Sequence, residues 1–189
     1  MMRKLKLQMQ LTIDGFVGTP TGQMDWMEWN WDEELKQFVA ELTQPVDCIV
    51  LGRQLAEGFI PYWATVAADA NDAQHEAGIK FTDTPKVVFT RTLDQSKWPN
   101  TQLAKGELAA EIASLKSQPG ADIIAYGGAT FVSALIKANL IDDYYLFINP
   151  SAIGKGLSIF SQYEGTLKLK LINAKQFDCG IVVMHYQRS

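Results

Sequence analysis

Two adjacent glycines follow a short apolar stretch in the second half of the sequence. Residues 123–126 are too few and too apolar to form a helix of their own, which predicts a buried strand that ends at Gly127 and Gly128. Apolar residues recur at helical spacing from Phe131 onward, so the glycines are expected at a helix N-terminus. Unpaired N–H groups, the helix dipole and the hydroxyl of Thr130 would bind a phosphate there. A plain strand-to-helix connection has the same pattern, so this turn alone leaves both interpretations open.

A second strand end carries a side chain that suits phosphate. Residues 46–51 form an apolar run that ends at Gly52 and Arg53, and another helix is expected to open at Gln54. A guanidinium binds phosphate through two parallel hydrogen bonds, although a surface arginine at a helix start is also common.

A third strand is predicted for residues 86–92, and it ends in Thr90, Arg91 and Thr92. Ligands of parallel sheets bind where the carboxyl ends of the strands meet, so the three strand ends are expected to converge. Together they describe a groove for a pyrophosphate, with Arg53 or Arg91 available for an extra phosphate, which fits NADPH better than NADH. The Gly-x-Gly-x-x-Gly dinucleotide pattern and the kinase-type phosphate loop are both absent.

Carboxylates near the first predicted helix could supply a proton. Asn30 is expected to cap this helix, and Asp32, Glu33 and Glu34 fall in its first turn. The helix dipole explains most of these acidic residues, but one of them could face a cleft.

Three of the five tryptophans, Trp26, Trp29 and Trp31, lie within six residues of one another. Two are expected in the core, and one could form a flat wall for an aromatic ligand, with Trp26 and Trp29 as the substrate-side candidates. The preceding loop, residues 18–25, contains Pro and Gly and is expected to be a mobile flap.

The elements that position these residues alternate between strands and helices. Residues 4–13 alternate apolar and polar side chains, which predicts a strand with one face on a core. The last strands, from residue 167 onward, predict an antiparallel hairpin. The order predicts an α/β fold with a mixed, mostly parallel sheet and helices on both faces. With 189 residues, 47% of them hydrophobic, the chain fits one domain over residues 1–189.

The composition argues against several classes of function. Lys and Arg number 17 against 21 Asp and Glu, the net charge is -4, and no long basic run points to a nucleic acid. No apolar segment reaches the roughly 20 residues of a membrane-spanning helix, and the N-terminus lacks the apolar core of a signal peptide. Two cysteines and two histidines without ligand spacing argue against disulfides and zinc. We therefore expect a cytoplasmic protein without a metal.

Several segments together resemble the dihydrofolate-reductase-like family, and more narrowly the stand-alone relatives of the reductase domain of bacterial riboflavin-biosynthesis deaminase-reductases. The segments are residues 11–17, 50–53, 89–92, 127–130 and 140–160, the last containing Gly154-Lys-Gly156. The resemblance covers nearly the whole chain. It implies a three-layer sandwich around an eight-stranded sheet, NADPH as hydride donor and a homodimer.

The resemblance also implies a role for individual residues. Gln10, Val17 and Gly18 would border the nicotinamide. The adenosine phosphate side would be formed by Gly52, Arg53, Gln54, Thr90 and Arg91, and the pyrophosphate would lie against Gly127, Gly128, Ala129 and Thr130. Folate-reducing relatives hold the substrate ring with a carboxylate on the first long helix, for which Asp32 and Glu33 are the candidates. No deaminase zinc motif is present, so only the reductase half would be supplied.

These features favour an NADPH-dependent reductase of a pterin-like or aminopyrimidine-like heterocycle, with a proton from Asp32, Glu33 or bound water. A non-catalytic dimeric sensor that binds a nucleotide or metabolite is the main alternative, because no carboxylate is an unambiguous acid. An enzyme of phosphorylated sugars is a more distant one, because neither a nucleophile nor a metal-ligand set accompanies the glycine turns.

Overall fold

A computed structural model describes residues 2–188, and its strands form one eight-stranded sheet. The strands are β1 Leu5–Thr12, β2 Val46–Gly52, β3 Lys86–Phe89, β4 Thr101–Ala104, β5 Asp122–Ala125, β6 Asp143–Asn149, β7 Leu169–Gln176 and β8 Val182–Arg188. The order across the sheet is β4-β3-β2-β5-β1-β6-β8-β7. Neighbours from β4 to β6 are parallel, whereas β8 runs antiparallel to both β6 and β7. The predicted mixed, mostly parallel sheet with a C-terminal hairpin is confirmed.

Five helices cover the two faces of this sheet. They are α1 Glu33–Thr43, α2 Arg53–Ala68, α3 His75–Asp83, α4 Leu108–Ser117 and α5 Ala129–Lys137. One face buries apolar residues of α4 and α5 against Leu5 and Leu7 of β1. The other face packs α1 over β6 and β8, and α2 with α3 over β2 and β3. The predicted helices on both faces are therefore confirmed.

Both faces of β1 are buried, which differs from the one-sided strand that its alternating sequence predicts. Lys6 and Gln8, on the polar face, are only 8% and 7% exposed. Lys6 is tolerated because its ammonium group pairs with Asp122 at 2.8 Å and donates to the carbonyl of Leu42 at 3.3 Å. A central strand between helix-covered neighbours has no solvent face, so its polar side chains lie in the interior of the protein.

The first helix begins later than the sequence predicts. Asp32, and not Asn30, is the N-cap of α1, and its carboxylate accepts a hydrogen bond from the Leu35 N–H at 2.8 Å. The same carboxylate accepts from the Cys179 N–H at 2.9 Å, across 147 positions of sequence. Asn and Asp cap helices about equally well, so residue type alone does not distinguish Asn30 from Asp32.

Between residues 2 and 188, no helix combines the length and the apolar character needed to cross a bilayer. Over the same range, no group of three or more His, Cys, Asp and Glu side chains could hold a metal ion.

Candidate functional site

Two helix N-termini lie side by side at the carboxyl edge of the sheet. Gly52 is the N-cap of α2 and Gly128 is the N-cap of α5, and neither provides a side-chain cap. The two turns are joined by a hydrogen bond from the Gly52 N–H to the carbonyl of Gly127, at 3.1 Å. By contrast, α1 and α4 are capped by the carboxylates of Asp32 and Glu107.

The first turn of α5 has free hydrogen-bond donors. Among residues 2–188, the backbone N–H groups of Ala129, Thr130 and Phe131 find no acceptor. Thr130 is exposed at this turn, as a ligand-binding hydroxyl would need to be. The helix dipole adds partial positive charge at the same place, so the edge can accommodate an anion.

The three glycines of these turns differ in backbone conformation and in what a side chain would meet. Gly127 has φ +138, a backbone conformation that favours glycine, and its peptide bond to Gly128 is cis. A Cβ on Gly52 would lie 2.8 Å from the Cβ of Phe131, so this glycine allows α5 to pack closely on β2. Gly128 has φ -79, and a Cβ there would meet nothing within 4 Å. The space beside Gly128 is therefore open, and a ligand can occupy it.

Arg53 stands at the start of α2 with its guanidinium held by a carboxylate one turn later. Its Nη1 lies 3.3 Å from Oε1 of Glu57, whose other oxygen pairs with Nζ of Lys97 at 2.5 Å. The hydrogen bond from Lys97 is the largest cause that lowers the pKa of Glu57. Two cations thus share one carboxylate beside the α2 terminus. Gln54, the next residue, is exposed there.

Thr90 and Arg91, the predicted phosphate-binding residues after β3, have different surroundings. The hydroxyl oxygen of Thr90 accepts hydrogen bonds from the N–H groups of Thr92 and Leu93, at 3.1 and 3.2 Å, so this buried side chain builds the turn after β3. Arg91 is exposed at the turn. β3 is parallel to β2, so both residues reach the predicted edge.

The base of the 18–25 loop is tied to the segment after β6. The Val17 N–H donates to the carbonyl of Leu157 and the Leu157 N–H to that of Gly18, both at 2.9 Å. The Asp14 carboxylate accepts from the N–H groups of Ile153 and Gly154. Val17 and Gly18 are buried in this pairing, whereas residues 20–25 are exposed.

A small cavity of about 60 Å³ lies between the carboxyl end of β6, the turn before β8 and the segment that precedes α1. It is lined by Trp26, Glu28, Asn30, Asn149, Pro150, Ser151, Cys179 and Ile181. The indole N–H of Trp26 is buried without an acceptor among residues 2–188. Trp31 stacks on Phe147, and the 65% exposed Trp29 packs against Trp31. The cavity thus combines an aromatic wall with several polar groups.

The two candidate acids have other contacts. The Leu35 N–H, followed by the Cys179 N–H, lowers the pKa of Asp32 below its ordinary 3.8, so its ionised form is favoured. Glu33 is exposed and pairs with Lys36 at 2.6 Å. These contacts do not test proton donation to a ligand, so the catalytic assignment of Asp32 and Glu33 stays a prediction.

Asn149 belongs to the site, although the sequence analysis did not select it. It is 3% exposed, and its Nδ2 donates to Oε1 of Gln10 at 2.9 Å. Its position was a usable signal, because it is a polar residue at the carboxyl end of a strand parallel to β1, just before Pro150.

The sheet order, the paired glycine turns at its carboxyl edge and the C-terminal hairpin define an α/β protein with a dihydrofolate-reductase-like fold. The family model described as the RibD C-terminal domain matches residues 3–183. The chain therefore belongs to the RibD C-terminal domain family.

Individual relatives agree with this placement. The chain is 29% identical over 188 residues to "Uncharacterized protein YyaP" of Bacillus subtilis (strain 168), covering 97% of this chain and 94% of the relative. A Shewanella sp. PV-4 protein ascribed to riboflavin biosynthesis has a TM-score of 0.70 at 21% identity, with 100% of this chain and 99% of that chain covered. A Thermotoga maritima diaminohydroxyphosphoribosylaminopyrimidine deaminase/5-amino-6-(5-phosphoribosylamino)uracil reductase also has a TM-score of 0.70, at 17% identity. All of this chain, but only 57% of the Thermotoga chain, is covered.

Proposed function

We propose that this protein is an NADPH-dependent reductase that transfers a hydride to a small heterocycle of pterin or aminopyrimidine type, such as a 5-amino-6-ribosylaminouracil. The observation that carries the proposal is the pair of uncapped helix N-termini with open space beside Gly128. A dinucleotide needs such a place for two adjacent phosphates, and helix N-termini supply N–H donors and positive potential for them.

The residues present fit NADPH in three respects. The N–H groups of Ala129 and Thr130 are free to donate to a pyrophosphate oxygen. Arg53 stands where it could contact the 2′-phosphate, with Arg91 and Gln54 exposed nearby. Gln10, on the central strand, would border the nicotinamide. When bound, NADPH supplies the hydride.

On the substrate side, the cavity lined by Trp26 and Asn149 fits a flat polar ring better than an apolar one. Its size of about 60 Å³ accommodates only part of such a ring, so we propose that the exposed 20–25 segment and Trp29 move to enlarge it and then exclude water. The proton comes from Asp32, Glu33 or a bound water held near them.

The test is binding followed by turnover. NADPH should quench the fluorescence of the clustered tryptophans in a saturable manner, and one member of a panel of pterins and aminopyrimidines should be reduced with loss of absorbance at the nicotinamide band. A protein that shows no saturable quenching by NADPH would contradict the proposal.

A non-catalytic sensor is the second candidate, because the Asp32 carboxylate already caps α1 and Glu33 points to solvent beside Lys36. Saturable binding of NADPH without turnover of any panel member would favour the sensor over the reductase.

We also propose that the chain acts as a cytoplasmic homodimer, on the basis of its family resemblance. Light scattering coupled to size-exclusion chromatography should give twice the chain mass of 21.1 kDa.

A further inference from the structure

Gln10, which is partly exposed, and the buried Asn149 form a hydrogen-bonded pair of carboxamides near the carboxyl ends of β1 and β6. The register aligns Gln10 with Phe147 and Thr12 with Asn149, so both carboxamide side chains lie on the same face of the sheet, the face that carries α1 and α2. Asn149 is 3% exposed, and its Nδ2 donates to Oε1 of Gln10 at 2.9 Å. The same nitrogen donates to the backbone carbonyls of Phe147 at 3.1 Å and Leu11 at 3.3 Å.

These contacts determine the orientation of both carboxamides, that is, on which side each one has its oxygen and on which side its NH2 group. A backbone carbonyl can only accept, so the two carbonyls require the NH2 group of Asn149, and not its oxygen, to face them. The same NH2 group faces Gln10, which must then present its oxygen to Asn149. If the amide of Asn149 were turned the other way, its oxygen would face the two backbone carbonyl oxygens and its buried NH2 group would lose them as acceptors, which is unfavourable.

The NH2 group of Gln10 is consequently turned away from Asn149. Among residues 2–188 it has no hydrogen-bond acceptor. Gln10 is also partly exposed, whereas Lys6 and Gln8, earlier on the same strand, are buried. Gln10, two residues before the end of β1, is therefore a partly exposed residue whose NH2 group has no acceptor among residues 2–188.

We propose that Gln10 determines ligand specificity by donating hydrogen bonds to a carbonyl oxygen on a planar nitrogen heterocycle, and that Asn149 is the positioning residue that maintains this polarity. The proposal rests on the reductase function above. Two groups share the required chemistry, namely the carboxamide of the nicotinamide and the ring oxo group of a pterin or aminopyrimidine.

The variant Gln10→Glu tests the polarity with almost no change of shape. A carboxylate oxygen still accepts from Asn149, but the group presented to the ligand changes from a donor to an acceptor. We expect at least a tenfold loss of affinity for the carbonyl-bearing ligand and a melting temperature close to that of the wild type. The matched control is Gln176→Glu, the same chemical change at an exposed position of β7, which should alter neither quantity.

Asn149→Asp tests the positioning role. A carboxylate there can only accept, so the unchanged Gln10 should turn its NH2 group toward it and present oxygen to the ligand. The affinity should then fall as in Gln10→Glu, although the ligand-facing residue is intact. If this variant does not fold, proton exchange of the side-chain amides in the wild type provides the same information. The NH2 protons of Asn149 should exchange slowly and those of Gln10 quickly, and the reverse order would overturn the assignment.

Two titrations separate the possible ligands. NADPH is titrated alone, and 5,6-diaminouracil is titrated in the presence of NADP⁺, in each case against the wild type and Gln10→Glu. A loss confined to NADPH identifies the nicotinamide carboxamide, and a loss confined to diaminouracil identifies the ring oxo group. Equal affinities of wild type and variant for both probes would overturn the role of Gln10, whereas a wild type that binds neither probe would overturn the reductase proposal itself.

Discussion

Gly52 and Gly128 occupy equivalent positions before two helices, but a side chain at each would meet different surroundings. Gly52 is in contact with the protein itself, because an added Cβ would lie 2.8 Å from Phe131. At Gly128 an added Cβ would meet no atom within 4 Å, so the space on that side is open. A methyl group added at Gly52 would therefore overlap the protein, whereas one added at Gly128 would enter the space proposed for the ligand.

This difference predicts opposite effects of substitution. Gly128→Val should keep the melting temperature of the wild type but lose tenfold to a hundredfold in NADPH affinity, about 1.4–2.8 kcal/mol, because its methyl groups occupy the phosphate space. Gly52→Ala should lose about 1–3 kcal/mol of stability, because the new methyl group overlaps Phe131. Thermal melts and NADPH titrations of both variants provide the measurement. Unchanged cofactor affinity in folded Gly128→Val would refute the cradle.

A second prediction concerns Arg53. Arg53→Ala should weaken NADPH binding by about 1.5–3 kcal/mol, roughly tenfold to a hundredfold, through loss of a charge-assisted hydrogen bond to the 2′-phosphate. NADH lacks that phosphate, so its affinity should change little. Parallel titrations with the two cofactors measure the difference. Equal losses would assign Arg53 a structural role with Glu57, and Arg91→Ala would then be the variant that separates NADPH from NADH.

At the scale of elements, the start of α1 connects the helix to the β7–β8 turn through Asp32. The carboxylate accepts from Leu35 within the helix and from Cys179 in the turn, so one side chain joins α1 to the turn that lines the cavity through Cys179. Its hydrogen bonds in the cap favour the ionised carboxylate, whereas a role as proton donor requires the protonated one. The two roles therefore have different pH dependences.

We expect Asp32→Ala to lower the melting temperature near neutral pH, because the cap is lost. The folded-state pKa of Asp32 lies below its ordinary 3.8, so the stability that it contributes is present above about pH 3.8 and disappears as the pH falls through the lower folded-state value. The melting temperatures of wild type and variant should therefore converge in acid. Asp32→Asn keeps a capping oxygen, so a folded Asp32→Asn protein with unchanged turnover would exclude Asp32 as the proton donor.

Across the molecule, the sequence predicts the features that depend on neighbouring residues. It does not predict contacts between residues that are far apart in the chain. Strand-glycine-helix patterns at Gly52 and Gly128 are local, and the general rule for parallel sheets brings them together correctly. The contact of Asp32 with Cys179 spans 147 positions, and the contact of Asn149 with Gln10 spans 139. No periodicity encodes such contacts. The burial of the polar face of β1 was missed for the same reason, since it depends on helices placed elsewhere in the chain.

An ion cluster around Asp143 lies at the amino ends of the strands, opposite the carboxyl ends where the ligand is proposed to bind. We therefore expect the two ends to contribute separately to stability and to binding. This carboxylate is 3% exposed and accepts from His185 and Gln187 at 2.7 Å, with Lys4 at 3.1 Å. Burial acts to raise the pKa of Asp143, but the hydrogen bonds from Gln187 and His185 and the charge of Lys4 together lower it below 3.8. Its stabilising contribution is therefore present above about pH 3.8 and is lost in acid.

Asp143→Asn should destabilise the fold by about 2–4 kcal/mol, because it removes the charge from a buried, hydrogen-bonded network. Its NADPH affinity should stay at the wild-type value, because the cofactor is proposed to bind at the other end of the same strands. Asp94→Asn is the matched control, since its pair with Lys105 is exposed and should contribute little to stability. Urea unfolding and NADPH titration of both variants decide the question. A folded Asp143→Asn protein with weakened NADPH binding would show that the two edges are energetically coupled, contrary to this separation.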